Sequence, residues 1–155
     1  MIADYLSLLE SSPFGQIARS SVWLFPIANL VHVLGSALLV GSIAVYDILL
    51  LGRRYDVAAA VAPVALPLAV LGMLLLVPSG SVLFAADARA IGRNPAFLFK
   101  MTLISIGLLN IAAYYAAAWR HGRQGGLARN ARTHAAISLI VWLGVILLGR
   151  MIAYV

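Results

Sequence analysis

The chain has 155 residues, 63% of them hydrophobic and only 10% charged, whereas a soluble domain is roughly half apolar and a quarter charged. Too few polar groups remain to cover a soluble core of this size, and the apolar content rules out disorder. Eleven Lys and Arg against five Asp and Glu give a net charge of +6, but the basic residues fall in short clusters between apolar runs, without the basic stripe of a nucleic-acid-binding helix. The lack of cysteine in this sequence removes disulfides, thiolate metal sites and thiol nucleophiles. An all-α integral membrane protein remains.

At the amino end, Ile2, Tyr5, Leu6 and Leu9 share one helical face, which predicts a short interfacial helix stopping before Pro13. Asp4 and Glu10 fall where a cleavable signal would carry its basic leader and apolar region. Four apolar runs follow, each with the about 20 residues needed to cross about 30 Å of hydrocarbon. Backbone groups in lipid must pair internally, so all four are helices. They are placed at about 21–51, 57–77, 95–119 and 132–154. Ser20 or Ser21 begins the first, with Pro26 in its opening turns. Pro63 and Pro67 bend the second, and Val77-Pro78-Ser79-Gly80-Ser81 breaks it. Asn94-Pro95 supplies the N-cap and first helical residue of the third. Gly122, Gly125 and Gly126 make 121–130 the longest loop. The result is a four-helix transmembrane bundle forming one domain over 1–155.

An even number of spans puts both termini on one face of the membrane, here the terminal face, and the first and third connections on the opposite, loop face. Arg53, Arg54, Arg120, Arg123, Arg129 and Arg132 fall on the loop face, six of the eleven basic residues. Basic residues near span ends mark the cytoplasmic side, so the expected location is a bacterial inner membrane with periplasmic termini.

Polar groups inside spans are costly and therefore draw attention. In the first span Asn29, His32 and Ser36 share a face, and Gly35, Ala37 and Gly41 would admit a close helix. The third span carries Lys100, Gly107, Asn110 and Tyr114 as a stripe, and the fourth His134, Ser138 and Trp142. Most such groups bond neighbouring helices, at about 0.6 kcal/mol each. Lys100 and Arg150 snorkel to the terminal face, and Asp47 is expected to pair with Arg53, Arg54 or Arg132. His32 and His134 do not suit one haem: a rise of about 1.5 Å per residue separates them by about 18 Å in depth. A second set passes the depth test. His32, Met73, Met101 and Met151 come from four spans and all fall in the terminal half; such donors suit Cu(I) or the iron of haem b. Asn29 and Ser36 would flank a cofactor at His32. Asp87, Arg89, Lys100 and Arg150 are the candidates for a polar mouth on the terminal face. No paired carboxylates lie in the spans, and no hydrolase, metalloprotease or phosphate-loop signature is present.

The motifs Trp23-x-x-Pro26, His32-x-x-Gly35, Asp47-x-x-Leu50-Leu51-Gly52, Gly80-x-x-Leu83-Phe84 and Asn94-Pro95-x-Phe97-x-x-Lys100, with Asn110 beyond, resemble a family of short bacterial inner-membrane proteins with four spans. The likeness covers nearly the whole chain and implies a fold without an activity. His32 followed by small residues is also similar to the membrane part of CopD-type copper-resistance proteins, which implies a periplasm-facing His or Met copper site. The expected function is a non-enzymatic subunit or accessory protein of a membrane assembly, embedded in lipid and joined to copies of itself or to a partner subunit. The alternative is haem-linked electron transfer or copper handling through His32 and the methionines.

Overall fold

The computed structural model describes residues 2–122 and 130–154, which are helical and contain no strand. The order is α1 (Ile2–Ser11), α2 (Pro13–Ser20), α3 (Leu24–Leu51), α4 (Tyr55–Ala86), α5 (Ala88–Arg93), α6 (Pro95–Gly122) and α7 (Ala131–Met151). Four of these, α3, α4, α6 and α7, are long and apolar enough to cross a membrane, which supports a multi-pass membrane protein. Arg123 and Arg129 of the expected loop, with Gly125 and Gly126, lie outside the described residues.

Local chemistry sets most boundaries as expected. Ser21 Oγ accepts the Leu24 N–H at 3.1 Å ahead of α3, and Asn94 Oδ1 accepts the Ala96 N–H at 2.9 Å at the start of α6. The amino-terminal helix does stop before Pro13, but Pro13 then opens α2, capped by Ser12 Oγ on the Gly15 N–H at 3.1 Å. A proline at a first helical position loses no bond, because its N–H would be unpaired there anyway. Gly15 is required at this corner: a Cβ there would lie 2.5 Å from the Leu9 carbonyl oxygen.

The expected break at 77–81 does not occur, because α4 runs unbroken to Ala86. Residues that break helices in water remain helical in lipid, where nothing else pairs the backbone. The hydroxyls of Ser79 and Ser81 return bonds to the Leu75 and Val77 carbonyls of the preceding turn. At about 1.5 Å per residue the 32 residues of α4 exceed the hydrocarbon thickness, and the excess is covered. Ala18 of α2 and Ala85 and Ala86 of α4 are fully buried beneath the amino-terminal helices.

An Arg19 network clamps this cap. Its guanidinium donates to the Ala86 carbonyl at 2.9 Å and pairs with Glu10 at 3.0 Å and Asp87 at 3.5 Å, while Glu10 Oε2 accepts the Arg89 backbone N–H at 3.0 Å. That backbone bond holds the Glu10 carboxyl below its ordinary value of 4.5, partial desolvation opposes it, and the charges of Arg19 and Arg89 assist it. A depressed native value makes the contribution complete near neutrality and lost as pH falls through that value. Protection of the Arg89 amide from hydrogen exchange, relative to its intrinsic rate, is therefore expected to fall on acidification below 4.5, and to respond less in Glu10→Gln. An equal acid response in both proteins would overturn this assignment.

The spans line up as α4, α3, α7, α6, each packed on the next. Gly35 and Gly72 bring α3 and α4 into backbone contact, and Gly107 receives the Trp142 ring between α6 and α7. Gly41 faces open space and Ala37 is exposed, so of the expected close-approach positions only Gly35 serves that purpose. Two buried clusters follow the row: one around Leu39, Val40, Ile43, Ala69 and Trp142, the other around Leu50, Ala58, Ala131 and Ala135. Among the described residues no α4 Cα comes within 8 Å of an α6 Cα. At the terminal end these two helices meet through stacked Phe84 and Phe97 rings, centroids 5.2 Å apart. Toward the loop face a gap remains.

Candidate functional site

That gap is a groove of about 260 Å³ to which all four spans contribute. Its wall is largely apolar, including Leu39, Ile43, Leu66, Met73 and Ile111. Val70 of α4 and Tyr115 of α6, 60% and 52% exposed, stand on its lining where it opens outward. Its polar groups come from three separate stripes. The α6 pair Asn110 and Tyr114 meets the α7 pair His134 and Ser138, and α3 adds Tyr46 and Asp47.

Most of these groups are committed to one another. His134 Nδ1 and Asn110 Oδ1 are 2.8 Å apart, and Asn110 Nδ2 donates to the His134 carbonyl at 2.9 Å. Tyr114 sets its ring edge-on to His134 at 5.8 Å and shares a 3.2 Å hydrogen bond with the Tyr46 hydroxyl. Asp47 is different. It is 5% exposed, Ser138 of α7 lies beside its carboxyl in the same lining, and Oδ2 has no partner.

The expected ion pair of Asp47 is not formed among the described residues. Leu39, Ile43, Asp47 and Leu50 make one buried face of α3, set by the helical period. That face turns Asp47 to α7, while Arg53, Arg54 and Arg132 are all exposed. Arg53 takes a left-handed φ of 58° in the turn to α4, beyond the end of α3. The sequence shows the α6 and α7 stripes but does not single out Tyr46, and it points Asp47 to an ion pair with Arg53, Arg54 or Arg132. The available signal was the spacing of Asp47 from Ile43 and Leu39.

The other candidates lie elsewhere. His32 Nδ1 sits 3.1 Å from Ser79 Oγ, and its ring rests on Gly80, where a Cβ would be 3.1 Å away. Pro78-Ser79-Gly80 thus docks His32 instead of ending a helix. Ser36 Oγ donates to the carbonyl of His32 at 2.8 Å, and Asn29 is exposed. Met73 lines the groove, whereas His32, Met101 and Met151 do not, and the last two are 45% and 46% exposed. The four therefore do not converge on this groove. Among the described residues no group of three His, Cys, Asp or Glu is placed to hold a metal ion.

The four polar-mouth candidates are likewise divided. Asp87 pairs with Arg19, and the Arg89 backbone is held by Glu10. Arg150 donates to the Tyr154 hydroxyl at 2.7 Å and lies over that ring at 5.1 Å. Lys100 packs between α6 and α7 beside Gly149, within electrostatic reach of His32. Compared with family models, curated proteins and solved structures, the chain matches none.

Proposed function

We propose that this protein is a non-enzymatic component of a bacterial inner-membrane assembly, with periplasmic termini, and that it works by binding a small molecule in the α4–α6 groove. The observation that carries the reading is Asp47 Oδ2, an acceptor without a partner, buried among apolar side chains in a groove shared by four helices. Concave, mostly apolar sites with a few convergent polar groups are the usual form of ligand pockets. Leaving such a group unsatisfied costs about 1–3 kcal/mol, which a ligand's donor would recover. The reading is one of binding because His134 is committed to Asn110 and the two tyrosine hydroxyls to each other, which leaves Asp47 Oδ2 as the group open to a ligand. The arginines of the loop face support the orientation, and the outward opening beside Val70 and Tyr115 supports entry from the lipid phase.

Native mass spectrometry of protein extracted gently from its membrane tests this. Wild type is expected to carry a low-mass species that Val70→Trp, which fills the groove from an exposed position, does not. Identical spectra for the two proteins would overturn the proposal.

A further inference from the structure

We infer that the groove selects a lipophilic amine, its cationic head on Asp47 and its apolar body along α3 toward Leu39; this rests on the groove being a binding site. Among the described residues the lining has one acidic side chain and no Lys or Arg, so no described cationic side chain receives an anionic head, and Asp47 would repel it. A head that donates hydrogen bonds supplies what Asp47 Oδ2 lacks, and bonds between charged partners are the stronger kind. Tyr46, Tyr114 and Tyr115 also line the groove, and aromatic rings attract cations.

The dimensions restrict the body. Asp47 lies four residues before the end of α3, about 6 Å at the helical rise, so the head sits toward the loop-face interface. From Asp47 to Leu39 the same rise gives about 12 Å of wall that is apolar at Ile43, Ala69 and Met73. A single short alkyl or aromatic body matches this length. A volume of about 260 Å³ is below the range for drug-sized ligands and leaves no room for a two-chain phospholipid.

The test uses octylamine, octanol and octanoate, one tail with three heads, titrated into the full protein in lipid nanodiscs while thermal unfolding is followed by tryptophan fluorescence. Saturable stabilisation of wild type by octylamine is expected at a concentration at least about tenfold lower than by octanol, as one charge-assisted bond implies, with none by octanoate. Asp47→Asn is expected to reduce the amine to the level of the alcohol, and Val70→Trp to remove the response to both, which also corrects for partition into the lipid. Equal responses to amine and alcohol in wild type, a preference for octanoate, or an amine preference kept by Asp47→Asn would each overturn the selectivity while leaving the groove a binding site. No saturable response to any of the three would overturn both.

Discussion

Gly72→Val is expected to lower stability by about 3 kcal/mol or more, the upper end for forcing atoms into a packed core. A Cβ at Gly72 would lie 2.5 Å from the Leu39 nitrogen, 2.7 Å from the Gly35 carbonyl oxygen and 3.0 Å from the Leu39 Cα. All three are backbone atoms, so no rotamer change relieves the clash and α3 must separate from α4. In a bilayer this contact has no substitute, because helices there associate through close packing and not through exclusion of water. Gly41→Val is the control: no atom lies within 4 Å of a Cβ at Gly41, and the change is expected to stay within about 0.5 kcal/mol. Reversible unfolding in mixed micelles measures both. Comparable losses in the two variants would show that the α3–α4 contact is not what holds the bundle.

Asp47→Leu is expected to have the opposite sign and to stabilise the ligand-free protein by about 1–2 kcal/mol. The substitution removes the polar contact with Ser138, which is worth no more than the about 0.6 kcal/mol of a hydrogen bond between membrane helices. It also removes a buried acceptor whose lack of a partner costs about 1–3 kcal/mol, so relief exceeds loss. The freed Ser138 hydroxyl turns back to the carbonyl one turn earlier in α7, as serines in helices do. The same variant is expected to lose the amine response described above. A residue whose removal strengthens the fold and abolishes binding is kept for function. A lower unfolding midpoint for Asp47→Leu would instead make Asp47 a structural tie between α3 and α7.

The sequence exposes some of these features and hides others for definite reasons. Asn94-Pro95 is legible because a cap is satisfied by atoms within three residues. Val77-Pro78-Ser79-Gly80-Ser81 is misread as a break because the rule assumes water as the competing partner for the backbone. His32 stands out by type and depth, but Ser79 and Gly80, which hold it, are 47 and 48 residues away along the chain. Asp47 is assigned to Arg53, Arg54 or Arg132 by its place near the loop-face end of its span, whereas the rotation of α3 turns it to α7.

Composition and the spacing of charges by themselves determine that this chain makes four apolar helices, and roughly where each begins. That follows because the cost of bare backbone and of charge in hydrocarbon is local and can be summed along the chain. The lateral order of the helices, the gap between α4 and α6 and the convergence of Asp47, Asn110, Tyr114, His134 and Ser138 are decided only in three dimensions. They depend on which small residues let which backbones touch, a property of pairs of helices that no single stretch of sequence contains.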